Sequence, residues 1–208
     1  MCFRLTCNGR RKRFGIVRKK TVFKTFILTI ALVNLLSAQR PGAGDRLANE
    51  SSPYLQHARS QPVDWHLLNE AAFAEARSQK KPLLIDVGAV WCGYCNTMDR
   101  ESYGQKDVAS FINQSFVPVK VDYDAKPEQV RQLEKAQALA NLPAGIPLIM
   151  VVTPEGKLFA GGTYFPARKT AKDNITFMEM LQAALQEFKT QPSQIQQEGV
   201  DLNWEKIK

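Results

Sequence analysis

Histidine and cysteine are scarce in this sequence. Its 208 residues include two histidines and four cysteines, and two of the cysteines fall within the first ten positions. Beyond that point Cys92 and Cys95 are the only thiols. A structural zinc site takes four ligands, so it would need both thiols together with His57 and His66, whose spacing is wider than that of the usual histidine pair. Zinc binding stays open only as an alternative. Haem attachment is excluded, because Asn96 stands where that motif needs a histidine.

Acidic residues are absent from the first 38 positions, which hold nine lysines and arginines. Subtracting these nine charges from the net charge of +8 leaves the other residues at about −1. The basic character therefore belongs to one terminal segment. Nothing in the remaining sequence suggests nucleic-acid binding, which relies on clustered basic side chains, and we expect no nucleic-acid partner.

The same terminal segment has the layout of an export signal. A basic stretch ends at Lys24, and the apolar run "TFILTIALVNLLSA" follows at 25–38. This run is shorter than the roughly 20 residues that a bilayer span needs, and it fits the apolar core of a signal peptide. We therefore expect an exported protein, periplasmic or secreted. An uncleaved membrane anchor at residues 1–38 is the alternative.

Composition divides the rest of the chain into three parts. Residues 39–63 contain glycine, proline and serine and are expected to form an extended lead-in. Residues 64–190 alternate between strand and helix patterns and are expected to form one domain. Residues 191–208 are polar and rich in glutamine, which predicts a loose tail.

Within the domain, short apolar runs at 81–89, 116–124 and 145–153 predict strands, and "PEGK" predicts a turn into a further strand. Helices are expected to begin near Asp64, Cys92 and Pro127. A last helix begins after Thr176, which forms a capping box with Glu179. This order predicts an α/β fold with a mixed central sheet flanked by helices.

The position of the cysteine pair favours redox chemistry. Cys92 follows a predicted buried strand and begins a helix, where unpaired N–H groups and the helix dipole stabilise a thiolate. The first thiolate can attack a disulfide, and Cys95, one turn further on, can resolve the mixed disulfide. A bridge across two residues closes a small loop and stabilises the fold little. A purely structural disulfide nevertheless remains an alternative.

Three segments, "LLIDVGAVWCGYC", "VKVDYD" and "GIPLIMVVTPEGKLFAGG", resemble a thioredoxin-fold domain over roughly residues 66–190. The resemblance implies that Cys92 is the nucleophile and Cys95 the resolving thiol. Asp86 matches the buried acid that assists proton transfer at the resolving thiol, and Lys120 matches the lysine beside that acid. These four residues are the expected catalytic set.

The same resemblance implies a substrate-binding surface around the cysteines. Ile146 and Pro147 match the cis-proline loop that faces the disulfide and pairs with the substrate backbone. Trp91 matches the tryptophan that precedes the nucleophile, and Gly93 and Tyr94 lie between the two cysteines. Exposed aromatic side chains beside a thiol suit peptide docking.

A narrower resemblance includes the lead-in. The segments "RLANESSPYLQHARSQPVDW" (46–65), "DRESY" (99–103) and "GGTYFP" (161–166) resemble the thioredoxin-like N-terminal domain of the spermatogenesis-associated protein 20 family. Members usually continue into a large helical-barrel region that this sequence does not include. They usually carry an aromatic residue and a histidine between the cysteines, where this chain has Gly93 and Tyr94. They usually have tryptophan before the cis-proline, where this chain has Ile146.

Together these features predict an exported thiol–disulfide oxidoreductase. No histidine lies between the cysteines to stabilise the thiolate strongly, which favours a reductase over a strong oxidant. Expected partners are protein or peptide disulfides and a thiol electron donor, with a membrane-bound donor as one candidate. No cofactor or metal is expected. The alternative is a binding or chaperone module of the same fold with an inert disulfide.

Overall fold

The computed structural model of the protein describes residues 46–169 and 175–203. The export signal or anchor expected at 1–38 lies outside these residues. Within the described ranges, no helix is both long and apolar enough to cross a membrane. The helices are α1 (Pro53–Ala58), α2 (Glu70–Gln79), α3 (Gly93–Met98), α4 (Lys106–Ser115), α5 (Pro127–Leu139), α6 (Phe177–Thr190) and α7 (Pro192–Glu198), and a π-helical turn, Asp99–Tyr103, continues α3.

Among the described residues, five strands form one mixed sheet, which confirms the predicted fold class. They are β1 (Leu83–Gly88), β2 (Val117–Asp122), β3 (Leu148–Val152), β4 (Lys157–Gly162) and β5 (Val200–Asp201), in the order β2-β1-β3-β4-β5. β1 and β2 are parallel, and the other neighbouring strands are antiparallel. Each of the three predicted apolar runs contains one strand, β1, β2 or β3.

The two faces of the sheet pack against different helices. Because successive side chains of a strand point to opposite faces, Ile85 and Val87 of β1 face the core formed with α2 and α5. Leu84 faces the second core, which α4, α6 and the π-helical turn complete. Asp86 and Gly88 share the face of Leu84, so a carboxylate points into the buried layer on this side of the sheet. The sheet therefore places Asp86 on the side of α3, where the cysteines lie.

The lead-in differs from its predicted extended form. Ser52 caps α1 by accepting a hydrogen bond from the backbone N–H of Leu55, and Pro53 occupies the first helical position, both of which favour a helix start. The helix expected at Asp64 begins only at Glu70, because residue 66 pairs with β2 instead. The segment 46–65 packs into the core of the domain through Leu47 and other buried side chains.

The C-terminal region confirms one prediction and corrects another. The capping box forms: Thr176 and Glu179 exchange side-chain and backbone hydrogen bonds at the start of α6. The prediction of a loose tail is wrong from Pro192 to Asp201, because α7 and β5 lie there. Ile195 and Leu202 are buried, and two apolar anchors give this polar segment enough buried surface to order it.

Candidate redox site

Cys92 and Cys95 form a disulfide with an S–S distance of 2.13 Å, directly after β1 and at the start of α3. Cys92 is the N-cap of α3, and its Sγ accepts a hydrogen bond of 3.1 Å from the backbone N–H of Cys95. Cys92 is 6% exposed and Cys95 only 1%. Cys92 is therefore the outer residue of the pair, and Cys95 is the inner one.

The Ile146–Pro147 loop lies beside the outer sulfur. The Ile146–Pro147 peptide bond is cis. The carbonyl oxygen of Ile146 lies 3.7 Å from Sγ of Cys92, and its side chain packs against the small cluster that contains both cysteines. A peptide backbone lying beside Cys92 would therefore meet the loop at Ile146.

Aromatic side chains flank the disulfide on the surface. Trp91 and Tyr94 are 61% and 63% exposed, which is unusual for such large apolar groups. The indole N–H of Trp91 donates a hydrogen bond of 2.7 Å to Asp124, and the ring of Tyr94 lies 4.8 Å from that of Tyr164. No atom lies within 4 Å of the position that a Cβ would take at Gly93. The surface around Cys92 is thus apolar, held in place and open.

Asp86 and Lys120 form a buried ion pair. They face each other across the parallel β1–β2 pairing, and the Lys120 ammonium lies 2.9 Å from Oδ2 of Asp86. Both side chains are buried. A second carboxylate, that of Asp99, lies 2.7 Å from the same ammonium.

Three aromatic rings complete the surroundings of this ammonium. Its Nζ lies 4.6 Å from the ring centroid of Tyr54, 4.7 Å from that of Trp65 and 4.6 Å from that of Tyr103. Ring faces at this range attract a cation, more strongly where water is excluded. The lysine is therefore compensated by two carboxylates and three rings.

Sequence reasoning did not assign Asp99, Tyr54, Trp65 or Tyr103 to the site. All four belong to the segments 46–65 and 99–103 that carry the narrower family resemblance. The concentration of aromatic residues in these two segments was the one feature of the sequence that could have indicated their contribution to the site. Their convergence on one lysine depends on tertiary packing, which no local periodicity reports.

Burial governs the ionisation of this cluster. Burial raises the pKa of the Asp86 carboxyl, the Lys120 charge opposes the shift, and the Asp99 charge adds to it. Burial alone would lower the pKa of Lys120, but the two carboxylates outweigh it and raise that pKa. The lysine therefore stays charged. Asp86 is the group that keeps its proton to a higher pH than an ordinary carboxyl does.

A variant Asp86→Asn should change how stability depends on pH. The raised pKa means that the folded state binds this proton more tightly than the unfolded state. The associated stability is fully present below the ordinary carboxyl pKa and is lost as pH rises through the raised folded value. We expect the unfolding free energy of the wild-type chain to fall, relative to Asp86→Asn, over that window. Urea unfolding across a pH series measures it, and parallel curves for the two proteins would contradict it.

The histidines occupy other places. The ring of His66 is buried, with Nε2 lying 2.9 Å from Glu75 and Nδ1 lying 3.2 Å from the carbonyl oxygen of Pro118. His57 is exposed on α1. Across residues 46–169 and 175–203, no group of three His, Cys, Asp or Glu side chains is arranged to hold a metal ion.

The mixed sheet, the disulfide at the start of the helix after β1 and the proline loop facing it define a thioredoxin-like protein, with the type of fold that thiol–disulfide oxidoreductases use. Residues 44–206 match the family model described as Thioredox_DsbH, Protein of unknown function, DUF255. The chain belongs to this family.

The matching relatives are longer proteins. Uncharacterized protein B0495.5 of Caenorhabditis elegans is 31% identical over 159 residues, which cover 76% of this chain and 22% of that protein. Spermatogenesis-associated protein 20 of Homo sapiens is 37% identical over 123 residues, which cover 59% of this chain and 16% of that protein. The predicted kinship is thereby confirmed, although this chain spans less than a quarter of either relative. A solved structure described as DsbH Oxidoreductase matches with a TM-score of 0.46 and 21% identity, over 60% of this chain and 85% of that chain.

Proposed function

We propose that this protein is an exported thiol–disulfide oxidoreductase that works as a disulfide reductase. The observation that carries the proposal is the buried Asp86–Lys120 pair together with an asymmetric disulfide, in which Cys92 is the outer sulfur and Cys95 the inner one. A disulfide that served stability alone would have no use for a buried proton carrier that Tyr54 connects to the cysteine cluster.

The reductive cycle begins from the dithiol. The Cys92 thiolate, stabilised by the N–H of Cys95, attacks one sulfur of a substrate disulfide, whose S–S bond breaks as the leaving sulfur takes a proton from water. Cys95 then gives its proton to Asp86 and attacks Sγ of Cys92. The mixed disulfide breaks, and the second substrate thiolate leaves and is protonated. The substrate gains two electrons, and the protein is left with the Cys92–Cys95 disulfide.

The surroundings of Cys92 suit an extended polypeptide as substrate. Trp91 and Tyr94 offer exposed apolar faces on either side of the outer sulfur, Gly93 leaves room between them, and the backbone of Ile146, held by Pro147, lies alongside. We therefore infer protein or peptide disulfides as substrates. The sulfur atoms carry the electrons, so the cycle needs no cofactor.

Export and electron supply complete the proposal. The basic and apolar pattern of residues 1–38 supports export. A reductase outside the cytoplasm must be reduced again after each cycle. We propose a thiol electron donor for this step, with a membrane-bound partner as the first candidate.

The reduction potential of the Cys92–Cys95 pair tests the function. Equilibrating the chain with dithiol redox buffers should show a reversible two-electron couple near the thioredoxin value of about −270 mV. Trapping free thiols with a mass label and weighing the protein measures the oxidised fraction. A pair that fails to exchange with dithiols in the folded state would contradict the enzyme and favour a binding module with an inert disulfide.

A further inference from the structure

Tyr54 connects the disulfide with the buried acid. Its ring belongs to the small buried cluster formed with Ala89, Cys92 and Cys95. Its hydroxyl donates a hydrogen bond of 2.9 Å to Oδ2 of Asp86. One side chain, supplied by α1, therefore meets both the sulfur pair and the carboxylate, and the reductive cycle described above gives it no task.

The Tyr54 hydroxyl and the inner sulfur both border Gly88. A Cβ added at Gly88 would overlap the Tyr54 hydroxyl and would lie 3.0 Å from Sγ of Cys95. Both atoms therefore border the space above this glycine. Asp86 lies two residues earlier on the same face of β1. Because Gly88 has no side chain, the Tyr54 hydroxyl has room between the Cys95 sulfur and the Asp86 carboxylate.

Asp86 has the capacity to take up a proton in this place. Its Oδ2 accepts hydrogen bonds from Tyr54 and Lys120, whereas its Oδ1 is buried without a hydrogen-bond partner among the described residues. The charged groups facing it are Lys120 from β2 and Asp99 from the π-helical turn, where the Tyr103 hydroxyl also lies. Two carboxylates and one ammonium leave a net buried negative charge, which one proton removes.

Resting on the function proposed above, we propose that Tyr54 is the group through which Cys95 and Asp86 exchange a proton. As Cys95 prepares to resolve the mixed disulfide, its S–H proton passes to the Tyr54 oxygen while the Tyr54 O–H proton passes to Asp86. The sulfur becomes a thiolate, the carboxylate becomes a neutral acid, and Tyr54 is again a neutral phenol. Electrons move only in the next step, when the thiolate attacks Cys92.

Two features of the site fit a relay better than direct exchange with water. Cys95 is only 1% exposed, so solvent has poor access to its thiol. Burial, followed by the charges of Asp86 and Asp99, raises the pKa of Tyr54 well above its ordinary value. A tyrosinate is therefore disfavoured, and the two proton movements occur together.

The reaction of the reduced chain with one equivalent of 5,5′-dithiobis(2-nitrobenzoate) tests the relay, in a background carrying Cys2→Ser and Cys7→Ser. The first release of nitrothiobenzoate reports the attack by Cys92, and the second reports resolution by Cys95. In Tyr54→Phe we expect the second phase to slow at least about tenfold near neutral pH, since positioned proton transfer contributes factors of roughly 100 or more. The first phase should be unchanged. The deficit should shrink as pH rises, because hydroxide can then take the proton.

Tyr123→Phe is the matched control. Tyr123 packs against the same cluster, but its hydroxyl lies 3.2 Å from Glu134 at the surface. Both phases should match those of the background. Adding Tyr54→Phe to Asp86→Asn should slow resolution no further, because residues that act in one chain are not additive.

The outcomes separate the relay from the function. A second phase in Tyr54→Phe as fast as that of Tyr123→Phe, or equal slowing of both phases without pH dependence, would overturn the relay and leave the reductase standing. Absence of both phases in the background protein would overturn the reductase itself. If Tyr54→Phe does not fold, the relay can be tested in the background protein by measuring the rate of the second phase in mixtures of H2O and D2O. Transfer of two protons in one step predicts that this rate depends on the deuterium fraction along a curve. A straight line would refute the relay.

Discussion

Replacing Lys120 with methionine is expected to lower the free energy of unfolding by about 3–5 kcal/mol, the usual cost of removing one partner from a buried ion pair. Methionine fills a similar volume but leaves Asp86 and Asp99 facing each other without a cation. Asp86 can relieve the repulsion by binding a proton, so the loss should be smaller in acid than at neutral pH. Urea unfolding at two pH values measures both effects.

The control for this variant removes the stranded charges as well. Lys120→Met combined with Asp86→Asn and Asp99→Asn leaves no uncompensated charge in the cluster, and we expect it to recover much of the lost stability. A single variant as stable as the wild-type chain, or a triple variant no better than the single one, would refute the electrostatic account of this cluster.

Replacing Cys92 with serine is expected to abolish disulfide reduction, down to the rate measured without protein. A serine hydroxyl neither ionises near neutral pH nor forms an S–S bond, so the first step has no nucleophile. Replacing Cys95 with serine should instead stop the cycle after that step, with a mixed disulfide accumulating on Cys92. Insulin reduction with dithiothreitol as the donor measures the rate, and mass spectrometry of the trapped protein locates the adduct.

The two cysteine variants control for each other, because they remove the same atom from the outer and inner positions. An adduct that forms on Cys95 in Cys92→Ser, or activity that survives in Cys92→Ser, would reverse the assignment of roles. Equal loss in both variants with no adduct in either would indicate that the disulfide only supports the fold.

The central sheet could be predicted from the sequence because its strands depend on local pattern, whereas the four expected catalytic residues came from the family resemblance and stay a prediction. β-Branched runs mark β1, β2 and β3, and the offset between the strands brings Asp86 opposite Lys120. Tyr54 and Asp99 are different. They reach the same lysine from α1 and from the π-helical turn, 66 and 21 residues away along the chain, and nothing in their neighbouring residues encodes that meeting.

The mistakes in the lead-in have a similar origin. The apolar spacing from Trp65 to Ala76 fits one helical face, but backbone pairing of His66 with β2 outweighs that preference. Asn69 then caps α2 through a hydrogen bond from the N–H of Ala72. The signals for α1, a serine cap followed by Pro53, were present in a segment whose composition indicated a loop. In both cases, contacts with distant parts of the chain determined which of two locally possible structures formed.

The segment that carries Tyr54 and Trp65 also limits how the redox centre could be moved between proteins. A fragment trimmed to begin at His66 would keep both cysteines and the acid, yet it would expose one side of Lys120 to water. The carboxyl of Asp86 would then meet a high dielectric and lose its hold on the proton. Grafting the Cys-x-x-Cys loop onto another scaffold would transfer the sulfur atoms without their tuning. A transfer that keeps the properties of the redox centre must therefore include the segment that carries Tyr54 and Trp65 as well as the loop.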